Sequence, residues 1–353
     1  MAGLSSELKI AFLDRDGTLI FEPPDTRQID LVEKVRMLPG VVGGLKRLKE
    51  EGYWLVMISN QDGRGTSSFP EADFQRPQKR LLELLRKEGI EFYRILICPH
   101  FAEDDCDCRK PRTGLVQDFL RQQKVGLDRS IMIGDREADM EFARNLGVWG
   151  VRMQTNGSFP RLANVERKTE ETDVFIQCNL DGTGDFQIET GLKFFNHMLE
   201  QLSKHSLIDL RIRAKAVSNV DEHHVVEDVG LTLGQSISRA LGPRKGISRY
   251  GFLLPMDDTL AEVALDLGGR PYLVFSCEFK REKVGDLPTE MVEHFFRSLS
   301  ESLRANIHVN VRYSRNEHHK IEAIFKAFGR ALRIACEPDR RLEDSLPSTK
   351  GVI

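Results

Sequence analysis

The sequence predicts an α/β domain followed by an α+β domain, on three observations. The first half alternates short apolar runs with amphipathic stretches, a polar irregular segment follows, and the remainder repeats itself. At 353 residues the chain also exceeds what one hydrophobic core usually supports.

The apolar runs of the first half lie at 8–13, 53–58, 92–98 and 130–133, separated by stretches such as Glu71–Lys87 that read as helices. Strands alternating with helices imply a mostly parallel sheet covered by helices. Ligands of such sheets bind at the carboxyl ends of the strands, where the acidic clusters of this half fall. The segment 152–171 gathers Asn156, Gly157, Ser158 and Pro160, and is expected to link domains at 1–165 and 166–353. Beyond it, His197 and His294 are 97 residues apart, while His223/His318 and Glu227/Glu322 are both 95 apart, so a β-α-β-α unit is duplicated.

With 40% hydrophobic and 30% charged residues and a net charge of −3, no one-sided charge suits nucleic acid or an anionic membrane, and the ligands are expected to be small. No apolar run approaches membrane-spanning length, and Asp14, Arg15 and Asp16 interrupt the first one before a signal peptide could form. Of six cysteines, three cluster and three scatter, which is no disulfide framework and fits a reducing cytoplasm.

The run IAFLDRDGTL ends a predicted strand in Asp14 and Asp16, which strand alternation sends to one side. Gly17 permits a sharp turn after them. Ser59 and Asn60 end a second strand before a Gly-rich loop suited to a phosphoryl group. Lys110 in CRKP supplies a fixed positive charge, and Asp135 and Asp139 offer hard oxygens suited to Mg²⁺. Cys98, His100, Cys106 and Cys108 fall within eleven residues, a closed tetrahedral set for Zn²⁺ with no open position for water, and so a structural site clamping a loop.

In the second half HHxxE occurs twice. His223 with Glu227, and His318 with Glu322, are four apart and share a helix face, so each pair can chelate one ion. His224 and His319 point about 100° away and can reach a second ion. Adding the repeat-matched His197 and His294 gives three nitrogens and one oxygen for each of two metals, a set favouring Mn²⁺, Fe²⁺ or Zn²⁺. Ligands must then cross between copies or between subunits, which predicts an oligomer.

These motifs carry two resemblances. DRDGT, ISNQDG, CRKP and IGDREAD stand in the order of the haloacid-dehalogenase phosphohydrolases. That resemblance implies a Rossmann-like domain in which Asp14 is the nucleophile and Asp16 the acid and base. Asp14, the Asp16 carbonyl and Asp135 would hold Mg²⁺, Ser59 and Lys110 would hold the phosphoryl group, and Asp139 would orient Lys110 or touch the metal. The repeat with DEHHVVED, NEHHKIEA, LGPRKGISRYGF, DLGGRPY and SLPSTKG resembles imidazoleglycerol-phosphate dehydratase from residue 171 to the end. It implies a duplicated split β-α-β domain in a large homo-oligomer through the C-terminal domain. It also implies two Mn²⁺ per site, Glu171 as a candidate base, and substrate contacts at His205, Arg249, Arg270, Ser348 and Lys350. Asn196, His205, Ser206, Glu222 and Asp258 depart from the commonest family text without removing a metal ligand. Together the halves resemble the bifunctional histidine-biosynthesis family that fuses histidinol-phosphate phosphatase to that dehydratase, acting on small phosphorylated imidazoles.

Overall fold

The computed structural model describes residues 7–154, 157–217, 221–339, 341–342, 345–348 and 353. The chain divides into two compact units, Met1–Pro160 and Arg161–Ile353.

The first unit is a five-stranded parallel sheet in the order β3-β2-β1-β4-β5, made of β1 (Lys9–Leu13), β2 (Tyr53–Asn60), β3 (Arg94–Cys98), β4 (Ile131–Gly134) and β5 (Trp149–Arg152). The helices α1 (Val41–Glu50), α2 (Glu71–Lys87), α3 (Gly114–Gln122) and α4 (Glu137–Leu146) connect them. Central strands covered on both faces must be apolar throughout, and β1 and β4 are buried along nearly their whole length. The helix α2 buries Phe74, Gln78, Leu81 and Leu85, the three-and-four spacing of an amphipathic helix. The order reverses beside β1, so the carboxyl ends of β1, β2 and β4 open onto one crevice.

The second unit holds two four-stranded sheets of the same plan. One has the order β6-β7-β9-β8, from β6 (Leu162–Lys168), β7 (Thr172–Asn179), β8 (Phe186–Glu189) and β9 (Asp209–Ala216). The other has the order β10-β11-β15-β12, from β10 (Tyr250–Met256), β11 (Thr259–Asp266), β12 (Tyr272–Ser276) and β15 (Asn306–Tyr313), with a hairpin of β13 (Lys283–Val284) and β14 (Leu287–Pro288) between them in sequence. In each, the last strand in sequence pairs antiparallel with the second and parallel with the third. Helices α5 (Lys193–Ser206) and α6 (Glu222–Leu241) belong to the first copy, α7 (Glu290–Leu303) and α8 (Glu317–Cys336) to the second. They pack crosswise, α6 on α7 and α5 on α8. One core spans both copies, centred on Phe195, Phe295, Phe296, Phe325 and Phe328, with the rings of Phe295 and Phe325 stacked at 5.2 Å.

The division falls earlier than the expected boundary at 165/166, because the polar text after Arg161 is a strand. Leu162–Val165 of β6 are buried while Glu166–Lys168 are exposed, as an edge strand permits.

Phe295 lies at 0% exposure in this shared core, so Phe295→Ala should destabilise the second unit by about 3–5 kcal/mol. Calorimetry should show that unit's transition moving to lower temperature while the first unit's transition stays in place.

Candidate active sites

Asp14 and Asp16 follow β1 directly, and both are buried. Gly17 turns the chain at φ 76°, and a Cβ there would collide with the Asp135 carboxylate. Lys110 Nζ lies 2.6 Å from Asp14 Oδ1 and 2.5 Å from Asp139 Oδ1, and donates to the Ile58 carbonyl at 3.0 Å. The other oxygen of Asp139 accepts from the Arg136 amide at the start of α4. Both oxygens of Asp139 are therefore engaged in holding Lys110 to the helix, whereas Asp14 and Asp135 each have capacity left. Asn60 fixes the Lys110 main chain from both sides, through Nδ2 to its carbonyl at 3.1 Å and Oδ1 from its amide at 3.0 Å.

The electrostatics follow from crowding four carboxylates together, with Asp14, Asp16 and Asp139 buried and Asp135 half-buried. Burial raises the pKa of Asp16, Asp139 and Asp135, the last to about 6, and the charge of Asp14 adds to the effect on all three. Burial disfavours the Lys110 charge too, but Asp14 and Asp139 more than offset it, and its pKa is raised. The crevice has a volume of about 510 Å³, with Ser59, Phe101, Arg109 and Arg136 on its walls.

The wall bearing Phe101 belongs to the cysteine loop. His100 Nδ1 lies 3.7 Å from Cys98 Sγ and 3.2 Å from Cys108 Sγ, and the sulfurs lie 3.3–3.7 Å from one another. A tetrahedron with metal–sulfur bonds of about 2.3 Å has edges of roughly 3.7 Å, so the donor set fits Zn²⁺. Arg109, directly after Cys108, pairs with Asp62 and donates to the His100 carbonyl at 3.0 Å, which ties this loop to the crevice.

In the second unit both HHxxE motifs start helices. Asp221 caps α6 by accepting from the His223 amide at 3.1 Å, and Asn316 caps α8 by accepting from His318 at 2.9 Å. His223 and Glu227 meet His294 of α7, with Nε2 of both imidazoles within 3.8 Å of the Glu227 carboxylate. His318 and Glu322 meet His197 of α5, with His318 Nε2 3.2 Å from the Glu322 carboxylate. Each set thus takes a pair from one copy and a single imidazole from the other, as the crosswise helix packing requires. His294 Nε2 is buried with no hydrogen-bond partner among the described residues, a lone pair left for a cation. Within one chain each set has two imidazoles, not three. Successive helical positions diverge by about 100°, so His224 and His319 point elsewhere. Asp221 and Glu171 flank His224 at 3.1 and 3.5 Å, and Asp258 holds His319 Nδ1 at 2.6 Å.

The expected substrate contacts are spread out. Arg249 forms a bidentate pair with Asp266 and donates to the Pro347 carbonyl at 2.8 Å, beside Ser348. Arg270 is exposed, and Lys350 lies outside the described residues. His205 is half-buried, its pKa lowered by burial and by Lys326 and Arg330. Sequence reasoning missed Lys326, which pairs with Glu322 one turn on at 2.7 Å, and Gln61, which donates to Asp16 at 2.7 Å and Ser59 at 2.9 Å. The alternation that grouped Asp14 with Asp16 applies equally to Ser59 and Gln61.

The fold and these sites define an enzyme of two catalytic domains, a haloacid-dehalogenase-type phosphatase and a dehydratase. Residues 190–332 match the family model for imidazoleglycerol-phosphate dehydratase, and residues 9–151 the model for polynucleotide kinase 3 phosphatase. The chain is 46% identical to the histidine biosynthesis bifunctional protein HisB of Stenotrophomonas maltophilia (strain R551-3), covering 98% of this chain and 99% of that one. It belongs to that bifunctional histidine-biosynthesis family. Among solved structures, imidazoleglycerol-phosphate dehydratase from Staphylococcus aureus is 40% identical with a TM-score of 0.46, covering 50% of this chain and 99% of that one. The D,D-heptose 1.7-bisphosphate phosphatase from B. bronchiseptica is 28% identical with a TM-score of 0.39, covering 42% of this chain and 83% of that one.

A carboxyl whose pKa is raised on folding binds its proton more tightly folded than unfolded. It therefore costs stability above its folded pKa, and that cost vanishes as pH falls to the unfolded value near 4. In Mg²⁺-free buffer the phosphatase unit should melt at higher temperature near pH ~5.5 than near pH ~7.5, because Asp16, Asp135 and Asp139 are all shifted upward. Asp135→Asn should shrink the difference, and a melting temperature that falls with acidification across this window would contradict the assignment.

Proposed function

We propose that the first unit hydrolyses histidinol phosphate to histidinol and the second dehydrates imidazoleglycerol phosphate to imidazole acetol phosphate. The observation that carries the reading is the presence, in one chain, of Lys110 bridging Asp14 and Asp139 and of two His/His/Glu sets assembled across a duplication.

In the phosphatase, Asp14 attacks phosphorus and the bond to the alkoxide breaks. Its electron pair goes to the leaving oxygen, which takes a proton from Asp16. Water then attacks the aspartyl-phosphate, gives its proton to Asp16, and frees Asp14 and phosphate. Ser59 and Lys110 balance charge on the transferred group. Asp14, the Asp16 carbonyl and Asp135 are the residues for Mg²⁺, which supplies further charge balance. Zn²⁺ belongs to Cys98, His100, Cys106 and Cys108 as a structural ion.

In the dehydratase, His223, Glu227 and His294, and His197, His318 and Glu322, are the residues for two ions. We assign them to Mn²⁺, which supplies Lewis acidity toward the substrate imidazole. Glu171, beside His224, takes the C2 proton. The C3–O bond breaks, the leaving hydroxide takes the proton that Glu171 removed and departs as water, and the enol rearranges to the ketone. Arg249, Arg270, Ser348 and Lys350 supply contacts to the substrate and its phosphate, with His205 alongside. His224 and His319 lie outside the sets of their own chain, which supports a large homo-oligomer through the C-terminal domain in which neighbours complete them. Six free cysteines favour work in the reducing cytoplasm. Among the described residues no helix is long and apolar enough to cross a membrane.

Asp14→Asn should reduce phosphate release from histidinol phosphate by at least about 10³-fold, since a carboxamide forms no acyl phosphate, and spare the dehydratase. Glu227→Gln should do the converse. Assays of both reactions on each folded variant decide this, and a single change silencing both would refute two independent sites.

Metal removal should separate the ions by role. Elemental analysis should find zinc in the isolated first unit, and Cys106→Ser should lower melting temperature more than turnover, because a structural ion contributes folding free energy. In the whole protein, chelation should abolish dehydration and shift the mass by light scattering to smaller species, with Mn²⁺ restoring both. Full mass after chelation would show that metal does not organise the assembly.

A further inference from the structure

We infer that Gln61 is a positioning residue for the phosphatase: held by the buried Arg15, it presents its carboxamide N–H to Asp16 so that Asp16 can protonate the leaving alkoxide. The inference rests on the reading of Asp16 as the acid.

Gln61 is 4% exposed and stands just beyond β2. Its amide is anchored to the Cys98 carbonyl at 2.8 Å, so its main chain is fixed to the end of β3. A buried carboxamide can flip, exchanging a donor for an acceptor, unless a neighbour selects one orientation. Arg15 makes that selection. Its guanidinium is fully buried against the Phe74 ring at 5.1 Å, and NH1 donates to Gln61 Oε1 at 2.8 Å. An arginine has no acceptor, so Oε1 must face it, and Nε2 must face the crevice. There Nε2 lies 2.7 Å from Asp16 Oδ2 and 2.9 Å from Ser59 Oγ.

The consequence for Asp16 is directional. With Oδ2 held by Gln61, Oδ1 has no hydrogen-bond partner among the described residues. Oδ1 is therefore the oxygen left to carry the proton, and the hydrogen bond from Gln61 to Oδ2 favours that orientation of the carboxyl group. Arg15 stands 3.5 Å from Asp16 Oδ2 but too far to replace that hydrogen bond. Its remaining nitrogens, Nε and NH2, are buried without hydrogen-bond partners among the described residues, so the bond from NH1 to Gln61 is what orients the guanidinium against the Phe74 ring.

The test exploits leaving groups. An alkoxide must be protonated as it departs, whereas p-nitrophenolate need not be, and kcat/KM reports only the steps up to the aspartyl-phosphate. Gln61→Met and the isosteric Gln61→Glu, which keeps the contact with Arg15 but withdraws the N–H from Asp16, are compared with wild type on histidinol phosphate and p-nitrophenyl phosphate. We expect kcat/KM for histidinol phosphate to fall by about 10²-fold, the lower end of what a proton donor contributes, and that for p-nitrophenyl phosphate to fall far less. Equal losses on both substrates would assign Gln61 to Ser59 or to folding, and unchanged kinetics would leave it idle. Either overturns the inference. Asp16→Asn in the same assay separates the two levels. If it too loses both substrates equally, the acid reading itself is wrong, whereas a split in Asp16→Asn without one in the Gln61 variants refutes positioning alone.

Discussion

Like charges gathered away from water are the constraint around which this chain is organised. Asp14, Asp16, Asp135 and Asp139 converge at the ends of β1 and β4, and burial raises the pKa of Asp16, Asp135 and Asp139. Lys110 is placed between two of them, and the rest of the negative charge favours a divalent cation and a phosphoryl group held by one. The second unit meets the same problem with imidazoles, which are neutral ligands and can be packed at 4.3 Å centroid separation without repulsion, as His223 and His294 are.

Much of this was legible in sequence because its determinants are local. Two aspartates at i and i+2 after an apolar run, four soft ligands within eleven residues, and His/Glu pairs four apart on a helix all follow from backbone periodicity. The repeat was legible from offsets of 95 and 97 residues between matching motifs, and the two sheets share one strand order. What was not legible depends on distant partners. Nothing local says that α6 packs on α7, so the third ligand of each set could be named but not paired. Gln61 was passed over because an amide gives no charge pattern to read. The start of the second unit was obscured because the exposed end of an edge strand looks like a linker.

Supporting residues are held as firmly as those proposed to react. Asn60 brackets the Lys110 main chain, Asp139 ties its ammonium to a helix start, and Asp221 and Asn316 cap the helices that carry the HHxxE motifs. A helix that begins just before its first ligand has its opening turn fixed by the cap, so the imidazole and the carboxylate four residues on keep their spacing.

The crosswise exchange of ligands has a consequence for descent. Each His/His/Glu set draws a pair from one copy and a single histidine from the other, and the helices that meet to form it never belong to the same copy. A chain with one copy holds the parts of both sets and can complete neither by itself. Before the gene doubled, such a centre could exist only where two identical chains met across a twofold axis. Joining the copies made that association permanent, and freed the two halves to diverge, as Val225, Asp228 and Gly230 opposite Lys320, Ala323 and Phe325 record.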